Sequence, residues 1–405
     1  MQLMSTRARR PVGSLLAMAL VAVLATGCGG DDEDTTTAAG TTTGTAAAAT
    51  STGVAPERTE EAKKAAEADA EKAGGRVDPP TGKKIGFMYL SKSTEASVRQ
   101  YEDLKTAADL FGFEIVTCDP NFDPAKTAQC ATSLVAAKPD LIISAASPTS
   151  ALGGGLKAAH DQGIPWIMTG AVQTPSEYYT AQYVPDEREL SKTLNDWVFQ
   201  QLQEKNGNVE GTLVAFQAPT VGAGVIDRDK QRAEDLKAHP GLKQKTHDID
   251  LADAVQDTIK TTKQFVQNTP DVVALWNTCD FCTPPMGQAL DQLGKNGDDR
   301  PVTVGIYTTK QSREQIKAGK VSGAVENNFG AQSMVAIDQA VQHWARDTPF
   351  AKDASVFSEG YGIKILEPWI VTKDNVGDTA TVRNQGEDYE TYFKTKWAAE
   401  FGVGS

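Results

Sequence analysis

Long apolar runs are nearly absent from this 405-residue chain. Beyond the first 27 residues no stretch of eighteen apolar residues occurs, which excludes a membrane-spanning helix of the usual length there. Basic residues are outnumbered, 40 Lys and Arg against 53 Asp and Glu, for a net charge of −13. A surface of that sign repels nucleic acid and anionic headgroups, so neither is an expected partner. The four histidines, His160, His239, His247 and His343, are scattered and supply no zinc set, so no metal is expected. There is no G-x-S-x-G elbow, no H-E-x-x-H and no phosphate loop; catalysis and a cofactor are therefore not expected. Gly153-Gly154-Gly155 lacks the spacing of a nucleotide fingerprint and reads as close helix packing.

The N-terminus is organised differently from the rest. Arg7, Arg9 and Arg10 precede an apolar run from Leu15 to Leu24, and Ala25-Thr26-Gly27-Cys28 follows. Charged start, short apolar middle and small residues before a cleavage point form the layout of a secretory signal. The last four residues resemble a bacterial lipobox, with Ala25 where leucine is usual. That makes residues 1–27 a removable leader and Cys28 the lipidated first residue; an ordinary signal with a nearby cysteine is the alternative. Removal takes three arginines and no acid from the −13 total, leaving −16. The product is expected at the outer face of the cytoplasmic membrane or in the periplasm, touching the membrane through its lipid only. Residues 29 to 56 hold almost nothing large and apolar and read as a leash. Glu60 to Lys72 suits an isolated helix, ended by Gly74-Gly75 and Pro79-Pro80, so residues 28–82 form a linker.

Lipidation of one of the five cysteines leaves an even number in an oxidising compartment. Two local bridges, Cys118 to Cys130 and Cys279 to Cys282, are the preferred pairing. A redox pair or half a zinc site at Cys279-x-x-Cys282 are the alternatives.

From Lys83 short apolar runs alternate with helical periods. Strands are expected at 85–90, 113–117, 141–144 and 165–168. After an irregular stretch, 172–185, more are expected at 212–216, near 243–249, at 272–276 and at 302–306. Strand alternating with helix implies parallel sheets covered on both faces, and the body is too long for one core. The fold class is α/β, two doubly wound parallel-sheet lobes with a ligand cleft between the strand ends.

Several stretches carry a resemblance over about residues 83 to 378: Ala108-Asp109-Leu110-Phe111-Gly112-Phe113, Asp119 through Lys126, Lys138-Pro139-Asp140-Leu141-Ile142-Ile143, Gly163-Ile164-Pro165-Trp166, Gln315 through Lys320, and Pro368 through Val376. In order and spacing they resemble the type I periplasmic sugar-binding proteins of ABC importers, the class of ribose- and galactose-binding proteins. The resemblance implies three interlobe crossings, near 184–186, 327–329 and 366–368. One lobe is then 83–185 plus 328–367, the other 186–327 plus 368–405.

It also implies ligand contacts from Ser91, Ser93, Thr94 and Ser97 after the first strand, where Ser93 or Thr94 could equally cap the next helix. Arg228 matches an arginine that forks onto vicinal hydroxyls, Arg232 being the alternative register. Asp280, which could equally cap the helix that follows, and Asn327 match acceptor and amide positions, and Asp186 a crossing where hinge and contact are both open. Gly170 and Tyr307 stand where sugar binders usually carry aspartates. Tyr307, with Trp166 or Trp276, could stack on a solute face, although buried tryptophans are more often core. The function expected is capture of a small polar, sugar-like solute by a monomer and its delivery to an ABC permease. A receptor subunit for a kinase or chemoreceptor is the alternative, and an envelope enzyme the next.

Overall fold

In the computed structural model, which describes residues 56–377, 379 and 386–404, the expected alternation builds two parallel sheets. The leader, Cys28 and the leash as far as residue 55 lie outside the described residues. The chain opens with α1 (Pro56–Lys72) and enters the first sheet: β1 (Lys84–Met88), β2 (Glu114–Cys118), β3 (Leu141–Ala145), β4 (Trp166–Thr169) and β5 (Ala181–Tyr183), in the order β2-β1-β3-β4-β5. Its pairings are parallel. β3 and β4 are buried at every residue, which is why they read as unbroken apolar runs rather than alternating ones. The helices between them are α2 (Glu95–Phe111), α3 (Pro124–Ala136) and α4 (Gly155–Asp161). Local chemistry sets their ends. Gly112 closes α2 in the left-handed region, and Asp123 caps α3 by accepting from the backbone of Ala125 and Lys126, with Pro124 at the first turn.

The second lobe repeats the plan. It contains α5 (Glu187–Asn206), β6 (Gly211–Gln217), α6 (Ala223–Asp235), β7 (Leu242–Asp248), α7 (Ala254–Asn268), β8 (Val272–Asn277), α8 (Thr283–Gln292), β9 (Val302–Ile306), α9 (Lys310–Lys317) and β10 (Gly323–Glu326). The chain then returns to the first lobe with α10 (Ala331–Arg346) and the short α11 (Val356–Glu359) before β11 (Trp369–Thr372) joins the second sheet and α12 (Tyr389–Phe401) closes the described chain. The sheet order is β11-β10-β9-β8-β6-β7, with only β11 antiparallel to its neighbour. In each sheet the order reverses beside the first strand, between β1 and β3 and between β6 and β8. Open parallel sheets bind ligands beyond the carboxyl ends of their strands at such points.

Two elements depart from the sequence-based boundaries. α1 is not an isolated helix on a linker. Its Ala62 and Ala66 are fully buried in the first lobe's core, Asp69 accepts from the Tyr392 hydroxyl at 2.6 Å and from the Gly362 amide at 2.7 Å, and the Thr59 hydroxyl donates to Asp388. α12, expected with the second lobe, lies in the first: Tyr392, Phe393, Trp397 and Phe401 pack with Phe87, Leu104 and Phe111. Its five large aromatic side chains need a deep apolar seat, and α10 and the flank of α2 provide one. The tail thereby adds a passage between the lobes, after β11, to the three implied by the sequence.

Cys118 and Cys130 are bridged, tying the end of β2 to α3. The second expected bridge is absent: Cys279 and Cys282 are free and buried. Here the turn into α8 is held by other bonds, from the Cys279 amide to Asn277 and from the Thr283 hydroxyl to the Cys279 carbonyl. The hydrogen bond with Cys279, with burial behind it, pushes the Cys282 thiol well above its usual range, which disfavours the thiolate that disulfide exchange requires.

Candidate functional site

The strand ends of both sheets meet around a partly open space of about 70 Å³. Leu90, Phe122, Ala145, Ala146 and Gly170 reach it from the ends of β1 to β4 and the loops after them, and Val225, Arg228, Thr278, Asp280, Phe281, Tyr307 and Phe329 reach it from the second lobe and its crossing. Three of the non-glycine residues with positive φ, Phe122 (62°), Ala146 (50°) and Tyr307 (63°), line this space. Strain of this kind persists only where the surroundings hold it and gathers at ligand-binding loops. Gly170 (φ 91°) is glycine for a steric reason as well: a Cβ there would lie 2.9 Å from the Ala146 amide nitrogen. No aspartate fits where sugar binders usually carry one.

Arg228 faces the space, but most of its guanidinium is already committed. Nε donates to Glu187 at 2.6 Å and Nη1 to the Thr278 carbonyl at 2.6 Å, and the group stacks 5.2 Å from the Tyr307 ring centre. Among the described residues only Nη2 is left without a partner. Burial pushes the Glu187 carboxyl up and Arg228 only partly offsets it; the same pair keeps Arg228 firmly protonated against its own burial. Arg232, the alternative register, is in the core: it pairs with Asp229 at 2.7 Å and covers the Trp276 ring at 4.2 Å.

Asp280 is 7% exposed and its Oδ2 has no hydrogen-bond partner. Burial raises its carboxyl to about 6; Arg99 and the Phe281 amide pull it down, while Glu326 and Glu95 push it further up. It does not cap α8, whose N-cap is Cys282. The Thr278 hydroxyl and the Tyr307 hydroxyl are likewise buried without partners. A buried polar atom with no partner is costly, and the three residues that carry these atoms line the same space.

The other expected residues fall elsewhere or are already satisfied. Thr94 and Ser97 line the space. The Thr94 hydroxyl, however, donates to the Ser91 carbonyl at 2.8 Å, and the Ser97 hydroxyl accepts from the Leu90 amide at 3.1 Å. Thr94 stands at the N-cap of α2 without a side-chain capping bond. Ser91 and Ser93 bond to each other, and Ser91 also to Asn121, so both serve the loop and do not line the space. Asp186 caps α5, accepting from Arg188 and Glu189, and lines an open groove of about 680 Å³ at the crossings. Asn327 is buried with both amide atoms unpartnered, next to Arg99 and Asp103 in a separate void of about 10 Å³. Trp166 donates to Ser144 and Trp276 to Asn195, both fully buried; neither is a platform in the cleft.

What sequence reasoning missed is the set of contacts that draws the lobes together. Glu95 on α2 bonds Arg313 on α9 at 2.7 Å and accepts from the Lys310 amide at 2.7 Å. Arg99 on α2 meets Glu326 on β10 at 3.3 Å, the Gly224 amide donates to the Val172 carbonyl at 2.9 Å, and the Phe122 and Phe281 rings lie 6.0 Å apart. Each pair is far apart in sequence and carries no local signal. Glu187, one residue beyond Asp186, could have been suspected only as an acid in the first turn of α5.

A model of the periplasmic binding protein domain matches residues 85–347. No curated protein sequence matches the chain. Solved structures align closely in fold. A protein of Mycobacterium smegmatis in complex with β-D-fucofuranose is 17% identical with a TM-score of 0.64, covering 77% of this chain and 98% of that one. A galactofuranose-binding protein is 18% identical with a TM-score of 0.63, covering 74% and 97%. An ABC transporter solute-binding protein of Agrobacterium vitis with bound allitol is 18% identical with a TM-score of 0.61, covering 73% and 96%.

Proposed function

Starting from a chain that belongs to the periplasmic binding protein domain family, we propose that it is an exported solute-binding protein, anchored through Cys28, that captures one small solute between its lobes and presents it to an ABC importer. The observation that carries this reading is the trio of unpartnered buried atoms, Asp280 Oδ2, Thr278 Oγ1 and Tyr307 Oη. Each lacks a protein partner and each is supplied by a loop at a strand end, where a guest would complete the bonding. Arg228 Nη2 is the fourth group on offer. The solutes named for similar folds, fucofuranose and allitol among them, support a small hydroxylated or otherwise donor-bearing guest.

Closure is the working step. The contacts between α2 and the α9–β10 region exist only when the lobes are together, so a guest that bridges them shifts the open–closed equilibrium by its differential affinity. The closed form is what a permease would recognise. The protein acts as a monomer and releases its guest unchanged. A thermal-shift screen of sugars, polyols, nucleosides, amines and aromatic acids on the full chain without its leader tests this, since a ligand of the folded state raises the midpoint by mass action. At least one solute should raise the midpoint and contract the radius of gyration in X-ray scattering. If a broad metabolite screen produces neither change, the reading is wrong.

A further inference from the structure

The charges around the cleft do not balance, and the imbalance specifies a ligand class. Three arginines stand in or beside it, and each has its own carboxylate: Arg228 with Glu187, Arg99 with Glu326, and Arg313 with Glu95. Asp280 makes no ion pair among the described residues. It is the surplus charge: it lines the space, and its buried Oδ2 has no hydrogen-bond partner. The carboxyl held at about 6 by burial fits a group whose counter-charge is missing.

Beside Thr94, Ser97, Thr278 and the paired Arg228, the lining is apolar and aromatic. Phe122 and Phe281 approach from opposite lobes, and Phe329 packs edge-on to Tyr307 at 4.7 Å. Rings around a single carboxylate are what an organic ammonium seeks, because ring faces attract a cation and the carboxylate neutralises it. An anion would meet arginines already neutralised and a carboxylate that repels it. Size agrees. The space of about 70 Å³ is roughly half that of an engineered ~150 Å³ cavity that holds benzene.

We propose that the solute this cleft is built for is a compact organic cation, a small amine or quaternary ammonium. Its charge rests on Asp280 and its alkyl surface lies among Phe122, Phe281, Tyr307 and Phe329. This rests on the solute-binding reading above and names its substrate class.

The test is calorimetric titration of the full chain without its leader with ethanolamine, ethylene glycol and glycolate, which carry positive, zero and negative charge on nearly the same frame. Tetramethylammonium, glycerol and D-arabinose are run beside them. Ethanolamine or tetramethylammonium should bind at least about tenfold more tightly than the neutral and anionic probes. Asp280→Asn should weaken that binding about a hundredfold, as loss of one partner of a buried charge pair does, with the fold checked by circular dichroism. Phe122→Leu, which leaves the carboxylate in place, should weaken tetramethylammonium more than ethanolamine. Binding of arabinose, glycerol or glycolate without either cation would overturn the cation assignment and leave the solute-binding reading standing. Cation binding that survives Asp280→Asn unchanged would overturn the assignment too.

Discussion

Replacing Arg228 with alanine separates two descriptions of that residue. As a free ligand for the solute, its loss would remove affinity and leave stability alone. The contacts say otherwise. The substitution deletes the 2.6 Å bond to Glu187, the 2.6 Å bond to the Thr278 carbonyl and the stacking on Tyr307. Glu187, 3% exposed, is left as a buried carboxylate without its partner, a change that costs about 3–5 kcal/mol. At about 2 °C per kcal/mol for a chain of this size, Tm should fall by roughly 6–10 °C. The sign with pH is determined. Burial raises the Glu187 carboxyl even with Arg228 present, and removing the arginine raises it more. A carboxyl raised in the folded state binds its proton more tightly there, so stability is lost as pH climbs from the unfolded value through the raised one and regained in acid. The deficit of Arg228→Ala should therefore be large at pH 8 and smaller at pH 5. The double variant Arg228→Ala with Glu187→Ala should recover much of it. Urea denaturation at both pH values reads this out; a variant with wild-type stability at both and no solute binding would refute the reasoning.

Two further outcomes follow from the same site. Asp280→Asn should be more stable than the parent at pH 8, because the parent's carboxyl, raised from 3.8 to about 6 and set among Arg99, Glu326 and Glu95, costs roughly 2–3 kcal/mol once ionised. The gain should vanish below about pH 4, as calorimetric melting at both pH values would show, and an equal gain at both would contradict it. Gly222→Ala should hold the lobes apart, since its φ of 149° favours glycine and a Cβ would lie 2.4 Å from the Gln173 amide oxygen. Scattering should report a larger radius of gyration in the presence of ligand, and Gln173→Ala in the same chain should relieve the clash but not the backbone strain.

The sheets were legible in the sequence because their central strands are buried on both faces and read as unbroken apolar runs: β1, β3, β4, β8 and β9 all coincide with such runs. The short strands were not. β5 spans only Ala181–Tyr183 and β10 begins at a glycine, so neither builds a period. The same limit applies at the site. Arg228, Asp280 and Tyr307 were singled out because they match family positions near strand ends, and all three line the space, although Arg228 lies inside α6 and does not open it. Whether Arg228 is free or engaged depends on Glu187, 41 residues earlier, and no local pattern couples the two. Thr278 and the facing phenylalanines look like ordinary loop and core residues until the lobes are brought together. The Cys279–Cys282 spacing suited a bridge, whereas the turn is held by Asn277 and Thr283.

The clasp of α1 and α12 on the first lobe has a consequence for how the polypeptide acquires its shape. Ile85, Phe87, Leu104 and Phe111 emerge from the ribosome some three hundred residues before the aromatic residues that seal them, Tyr392 to Phe401. The second lobe draws on a nearly continuous stretch and can condense first, whereas the first must wait for loop closure across some three hundred residues. Until α12 is delivered the first lobe lacks part of its apolar seal, the condition in which a chain can still be threaded through a narrow channel.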